Sequence, residues 1–306
     1  MPRVIITGAS GFVGSHLTDY MIAQGCEVHA VGRSATIPWR LADADKTGKL
    51  VWHGGVDIAD YATLQRLFAT CNADYLVHAA AYGVNAQRQD RLESVRTNVL
   101  GTTAVLEAAT QVEFRRILVL GTALELQPAL EPLTEQAPLA PGSLYGVTKA
   151  AGFLLADMYR KQHGLPLTYL RLFTTYGPRE ESDKLIPYII RSFQSGGSPT
   201  LKNPNQVRDL LYVADVAAAI GKIIYASQTI PGVLHLGSGF ALTIGQIAEQ
   251  IASVLHRSYS VPSVHEMGYA ANPQKICQHG WSPAISLAQG IQMTANWYEQ
   301  NGAYNK

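Results

Sequence analysis

One stretch constrains this chain more than any other. Val4-Ile5-Ile6-Thr7 is a β-branched run that passes directly into Gly8-Ala9-Ser10-Gly11-Phe12-Val13-Gly14. Val13, Leu17 and Met21 then recur at helical spacing until Gly25 stops the pattern. Strand, glycine turn and helix in that order make one βα unit. Glycines at 8, 11 and 14 permit a tight turn, a close backbone approach and close helix–strand packing. The N–H groups opening the helix can then hold a pyrophosphate, so Gly8, Gly11, Phe12, Val13 and Gly14 are the expected dinucleotide contacts. The spacing is G-x-x-G-x-x-G, and the alternative is a structural turn without a ligand.

The same alternation continues. Strands are expected at residues 27–31, 50–53, 75–78, 117–120 and 168–172. Helices are expected after an Asp60 N-cap, over residues 90–111, and from Tyr145 to His163 before Gly164 and Pro166. Strands separated by helices predict a doubly wound parallel α/β sheet covered on both faces. Beyond Leu172 the pattern turns irregular, with Gly177-Pro178, Gly196-Gly197 and Asn203-Pro204-Asn205. The expected division is a nucleotide-binding domain over 1–172, rejoined by 210–237, and a smaller domain made mainly of 173–306.

Composition excludes several classes. At 306 residues and 47% hydrophobic, a sizeable core is available, and 15% charged residues argue against disorder. With 24 basic against 23 acidic residues the net charge is +1, so a nucleic-acid partner held through phosphates is not expected. A run of ~18 apolar residues is missing, so no membrane span is expected. Met1-Pro2-Arg3 enters the first strand without a signal-peptide pattern, and Cys26, Cys71 and Cys277 show no paired spacing. Both point to a cytoplasmic protein. The nine histidines form no H-E-x-x-H or Cys/His signature, so no metal is expected.

Cofactor choice is readable at the end of the second strand. An acid there would bind a ribose 2′-OH, as in NAD sites. The chain has Val31-Gly32-Arg33-Ser34 instead. Arg33 and Ser34 suit a 2′-phosphate, which favours NADP(H), with NAD(H) as the other possibility.

Tyr145 and Lys149 stand at i and i+4 on one helix face. An unperturbed Tyr titrates near about 10, and a neighbouring ammonium lowers that value. Tyr145 is then the candidate general acid or base toward a carbonyl/alcohol pair, with Lys149 tuning it. Thr122, 23 residues before Tyr145 at a strand's carboxyl end, could hydrogen-bond the same oxygen.

Together these residues resemble the extended short-chain dehydrogenase/reductases that act on nucleotide sugars, over nearly the whole chain. The resemblance implies a Rossmann-type domain with a smaller C-terminal substrate-binding α/β domain. It places Thr122, Tyr145 and Lys149 on the catalytic positions. Val56-Asp57-Ile58 looks like the adenine-contacting segment. His78-Ala79-Ala80-Ala81-Tyr82 is similar to the segment under the nicotinamide ribose, which assigns Ala79 and Ala80 to cofactor and Tyr82 to substrate. Thr174, in Leu172-Phe173-Thr174-Thr175-Tyr176-Gly177-Pro178, falls on the entry to the substrate domain. Arg208, in Val207-Arg208-Asp209-Leu210-Leu211-Tyr212-Val213, falls where the family grips the sugar-nucleotide diphosphate. Gly280-Trp281-Ser282-Pro283 looks like a C-terminal signature of the group.

The departures set the subclass. The family's 4,6-dehydratases carry Asp-Glu after the catalytic Thr, whereas this chain has Ala123-Leu124 and then Glu125. Many epimerases have Asn at the position of Thr174, and Tyr269-Ala270-Ala271-Asn272-Pro273 replaces an Arg-rich substrate segment. With the NADP-type strand end, this implies a reductase of an NDP-4-dehydro-6-deoxyhexose at C4. The alternatives are an NAD-dependent 4-epimerase and a non-catalytic NADPH-binding protein on the same fold. The resemblance also implies a homodimer, and the small-residue run Ala150-Ala151-Gly152 offers a face for close helix packing.

Overall fold

The computed structural model describes residues 1–84 and 90–302. They form two compact units: Met1–Gln127, Ala137–Leu172 and Ala217–Leu234 in the first, and Pro128–Gln136, Phe173–Val216 and His235–Lys306 in the second.

The first unit begins with β1 (Arg3–Thr7), α1 (Phe12–Ala23), β2 (Glu27–Val31), the short α2 (Ala42–Asp45) and β3 (Leu50–His53). There follow α3 (Tyr61–Cys71), β4 (Tyr75–His78), α4 (Arg91–Val95) and a π-helical segment (Arg96–Gly101) that runs into α5 (Thr102–Ala109). Then come β5 (Arg116–Thr122), α6 (Leu144–His163) and β6 (Leu167–Leu172). The second unit adds β7 (Thr174–Tyr176), α7 (Leu185–Gln194) and β8 (Val207–Tyr212). Helix α8 (Val213–Ile224) and β9 (Gly232–Leu236) lead back to the first sheet, and β10 (Ala241–Thr243), α9 (Ile244–Val254), α10 (Gln274–Cys277) and α11 (Leu287–Asn301) follow.

The large sheet has the order β3-β2-β1-β4-β5-β6-β9, and its strands pair in parallel from β3 through to β6. Order reverses between β1 and β4, and ligands of such sheets bind at the carboxyl ends beside that reversal. Both faces are covered, because crossover helices must pack back onto the sheet. Leu64, Leu67 and Phe68 of α3 are buried with Val105 and Ala109 of α5 against Ile5, Leu76 and Ile117. On the other face, Gly221 of α8 admits the Tyr20 ring of α1, where a Cβ would strike it. Asp60 caps α3 by accepting from Thr63 N at 3.2 Å, and Gly164 (φ +66°) closes α6.

In the second unit β8 lies between β10, antiparallel, and β7, parallel. Helices α7, α9 and α11 bury Ile189, Phe193, Ile247, Ile251 and Ile291 over Tyr176, Leu210 and Tyr212.

Three features depart from expectation. Residues 91–109 are helical as expected, but a π-helical turn at 96–101, which the sequence did not suggest, widens the helix and turns Asn98 into the interior. Pro128–Gln136 belongs to the second unit, since Ala129 bridges to Gly268 and Leu133 to Ala271; the return to the first unit starts at Ala217. The small-residue run on α6 packs inward: a Cβ on Gly152 would sit 3.2 Å from Asn98 O, and Ala150 is buried. Among the described residues no helix is long and apolar enough to cross a membrane.

Candidate active site

The glycine turn is built for backbone contact. Gly8 has φ +71°, and a Cβ there would meet Ala80 N at 2.5 Å, so the loop after β4 lies directly on the turn. Ala79 N donates to Thr7 O at 3.1 Å and fixes that loop. Gly14 lies against the Gly8 carbonyl with no room for a side chain. The α1 N-cap is Gly11, which supplies no side-chain bond to the first helical N–H groups. An uncapped helix start walled by glycine backbone fits a dinucleotide pyrophosphate.

At the end of β2 no carboxylate follows Val31, but acids arrive from elsewhere. Arg33 Nη1 donates to Glu93 Oε1 of α4 at 2.6 Å, and its side chain is 63% exposed. Ser34 Oγ donates to Thr36 O at 2.7 Å. Asp57 accepts from Ala59 N at 2.9 Å and from Arg96 Nε at 3.1 Å. Burial works against the Asp57 charge, but these bonds and the nearby guanidinium groups hold its pKa below the usual range. Ile58 lies against Gly101, where a Cβ would meet Ile58 Cδ1 at 2.7 Å.

The β5 end and the start of α6 carry the chemistry. Thr122 N-caps a 3-10 turn (Ala123–Glu125) and accepts from Leu124 N at 3.3 Å, which occupies a lone pair and not its proton. Ser143 caps α6 by accepting from Gly146 N at 3.1 Å. Gly146 has no side chain because the Leu124 carbonyl lies in that space, and this seats the first turn of α6 on the turn after Thr122. The first turn of α6, which carries Tyr145, therefore packs on the turn that Thr122 caps, with Lys149 one helical turn further on. Lys149 is buried and donates from Nζ to Leu120 O at 2.6 Å.

The electrostatics differ from the simple Tyr–Lys expectation. Burial pushes the Tyr145 phenol up, and the Glu125 carboxylate adds to the rise. Burial also lowers Lys149. Burial and the Glu125 carboxylate outweigh any lowering by the Lys149 ammonium, which donates to the Leu120 carbonyl, so the expected depression of Tyr145 is not present. The phenol is fully protonated near neutrality.

The sequence profile of the NAD-dependent epimerase/dehydratase family matches residues 4–237. The chain belongs to that family. It is an extended short-chain dehydrogenase/reductase and an oxidoreductase-type enzyme. It is 29% identical to a dTDP-glucose 4,6-dehydratase of Streptomyces niveus over 99% of this chain and 94% of that one. The structure of a dTDP-glucose 4,6-dehydratase of Streptomyces venezuelae, with NAD bound, superposes with TM-score 0.86 at 28% identity, covering 98% of this chain and 97% of that one. A UDP-glucuronic acid 4-epimerase of Bacillus cereus shares the fold, with TM-score 0.87 at 22% identity over 98% and 99% of the two chains.

Within this epimerase/dehydratase family member, sequence reasoning left two roles unassigned, those of Glu125 and Asn98. Glu125 is fully buried and uses both oxygens: Oε1 accepts from Thr122 N at 2.8 Å and Tyr169 Oη at 2.7 Å, and Oε2 from Arg171 Nε at 2.9 Å. Burial raises its pKa and the Arg171 charge opposes that rise. Arg171 itself lies over the Phe153 ring at 4.4 Å. Glu125 therefore braces the turn under Thr122 and is not presented as an acid. Asn98 is the second group: it accepts from Tyr82 N at 2.9 Å and donates to Tyr82 O at 2.8 Å and Thr148 Oγ1 at 2.9 Å. It ties the Tyr82 backbone to α6. Its position on a π-helical turn, a feature frequent at functional sites, was the missing signal.

Thr174 and Arg208 lie in the second unit, on the paired strands β7 and β8. Arg208 donates to Val207 O at 2.9 Å, with its guanidinium 5.9 Å from the Tyr269 ring. Its neighbour Asp209 is structural: it accepts from Ser238, Gly239 and Ala271 backbone N–H groups at 2.7–3.0 Å.

Proposed function

We propose that this family member is an NADPH-dependent reductase of the C4 carbonyl of an NDP-4-dehydro-6-deoxyhexose. The observation that carries the reading is the burial of Glu125 in its ion pair with Arg171. Dehydration needs an acid and a base beside the sugar, and Ala123 and Leu124 provide neither. Reduction needs only one proton at the carbonyl oxygen.

Gly8, Gly11, Phe12, Val13 and Gly14 would hold the cofactor's pyrophosphate, Asp57 and Ile58 its adenine end, Ala79 and Ala80 its ribose side, and Arg33 and Ser34 its 2′-phosphate. When bound, NADPH supplies the hydride. Tyr145 then donates its phenolic proton to the developing alkoxide, a task for which its raised pKa keeps it loaded. Thr122 hydrogen-bonds the same oxygen. Lys149 supplies positive charge one helical turn away as the phenolate forms. Tyr82, Thr174 and Arg208 are the proposed substrate contacts. The proposed setting is a cytosolic homodimer; free Cys26, Cys71 and Cys277 suit a reducing compartment.

The test is NADPH consumption, followed optically, with a panel of NDP-4-keto-6-deoxyhexoses. Stoichiometric oxidation is expected, and Tyr145→Phe should lose ~10²–10⁴ of the rate while still binding NADPH. No consumption with any member of the panel overturns the reading.

A second reading, an NAD-dependent NDP-sugar 4-epimerase, is favoured by the Arg33–Glu93 ion pair, which opposes an incoming phosphate. It predicts NAD retained through purification and no net cofactor consumption. Arg33→Ala separates the two. Loss of the 2′-phosphate contact, at ~1.5–3 kcal/mol for a charged hydrogen bond, raises KM for NADPH about tenfold or more and leaves NADH unchanged. Equal effects on both cofactors would favour the epimerase.

A further inference from the structure

Three side chains of the first unit converge away from the Tyr145 chemistry: His29 on β2, His53 at the end of β3 and Cys71 at the end of α3. Their potential ligand atoms all lie within 4.8 Å of one another. His29 Nδ1 is 3.0 Å from His53 Nε2, and Cys71 Sγ is 3.8 Å from the same nitrogen. Cys71 and His29 are buried, and His53 is half-buried.

The far side of His29 is already arranged. Its Nε2 is 3.1 Å from Glu27 Oε1, and that oxygen is also 2.9 Å from Arg3 Nε. The carboxylate places the imidazole proton on Nε2, so the Nδ1 lone pair faces His53 and Cys71. A carboxylate behind an imidazole in this way is the usual support of a metal-ligating histidine. Bond lengths of ~2.0–2.1 Å to nitrogen and ~2.3 Å to sulfur in a tetrahedral site place ligand nitrogens about 3.3 Å apart, and nitrogen and sulfur about 3.6 Å apart. The two separations from His53 Nε2, 3.0 and 3.8 Å, differ from these by a few tenths of an ångström, and the third, from His29 to Cys71, lies within 4.8 Å and closes as the ion draws the two side chains together.

We propose that His29 Nδ1, His53 Nε2 and Cys71 Sγ bind a borderline-soft divalent transition ion of the Zn2+ class, with Glu27 supporting His29. Two nitrogens and a thiolate suit such an ion better than Mg2+ or Ca2+. As the ion enters, the His53 proton shifts from Nε2 to Nδ1, so the ring stays neutral and its Nε2 lone pair is free to ligate, and the Cys71 thiol proton leaves to solvent. Three protein ligands leave a fourth position for water. The bound ion ties edge strand β3 to β2 and to the end of α3. Sequence spacing hides the set, because the members stand 24 and 18 residues apart.

The full chain, stripped with a chelator, is titrated with Zn2+ by calorimetry and with Co2+ by absorption. One ion per chain, a raised Tm and a thiolate-to-Co2+ charge-transfer band are expected. His53→Gln and Cys71→Ser should each weaken binding at least tenfold, Glu27→Gln about 10–100-fold, and Cys277→Ser not at all. No stoichiometric binding, or binding that survives His53→Gln, overturns the proposal. Cys71→Ser changes a buried position, so the half-buried His53 decides if that variant fails to fold.

Discussion

His78 is held neutral from both sides. Thr102 Oγ1 donates to Asn98 O at 2.8 Å, so its oxygen accepts from His78 Nε2–H at 3.0 Å. Nδ1 is then bare and accepts from Thr7 Oγ1 at 2.7 Å. The ring joins the strand before the glycine turn to the helix after Asn98, and both nitrogens are occupied, so it is no catalytic base. Burial, with the Lys149 charge adding to it, lowers its pKa to about 3. The unfolded chain protonates the same ring below about 6.5. Between those values the unfolded state holds more protons, so stability rises with pH and is lost as pH falls through 6.5 toward 3. The full slope is about 1.4 kcal/mol per pH unit. Urea midpoints should therefore drop between pH 6.5 and 4.5, and His78→Gln should flatten that dependence. An unchanged slope in the variant would mean that His78 is charged in the folded protein.

The elements around the site were largely legible, and the site's supports were not. Strands β2, β3 and β4 and the Asp60 cap follow from runs of four to eleven neighbouring residues, where period, β-branching and a capping side chain act locally. The positions of Thr122 at a strand end and of Tyr145 and Lys149 one turn apart on a helix were legible for the same reason, since both are short-range facts; their catalytic roles remain the proposal. The Glu125–Arg171 pair spans 46 residues and the Asn98–Thr148 bond spans 50, and no local pattern announces either. The raised pKa of the Tyr145 phenol was illegible through the same blindness, because its burial and the Glu125 carboxylate that acts on it are tertiary. Gly146 is where element and site meet. A methyl group there would press on the Leu124 carbonyl and lift the first turn of α6 from the Thr122 turn. Gly146→Ala should leave the fold and cofactor binding in place and cost on the order of 10²-fold in kcat, the usual penalty for ~1 Å of misplacement. Single-turnover hydride transfer measures it, and a wild-type rate would show that Tyr145 is not positioned through this contact.

At the scale of the whole molecule, the question is what covers α6. Val147 and Leu154 are seven residues apart on one face and are 49% and 58% exposed. Leu92 and Val95 on α4 and Leu100 on the π-helical segment are exposed too, on elements that pack against α6. Large apolar side chains exposed on neighbouring elements suit an association site better than a solvated face. A helix face repeated by a twofold axis meets itself, which is the commonest way such a patch is buried. The small residues that suggested this helix as an interface turn inward, yet the large residues that flank them, Val147 and Leu154, restore the same expectation by a different route. Light scattering after size exclusion should give about twice the 33.1 kDa chain mass at micromolar concentration. Leu154→Asp places a charge at the centre of that face, where desolvation costs it several kcal/mol, and should yield monomers. Leu154 is no part of the glycine turn between β1 and α1, so the monomeric variant should still bind NADPH. A wild-type chain that runs as a monomer, or a Leu154→Asp variant that stays dimeric, would assign the exposed face of α6 no part in assembly.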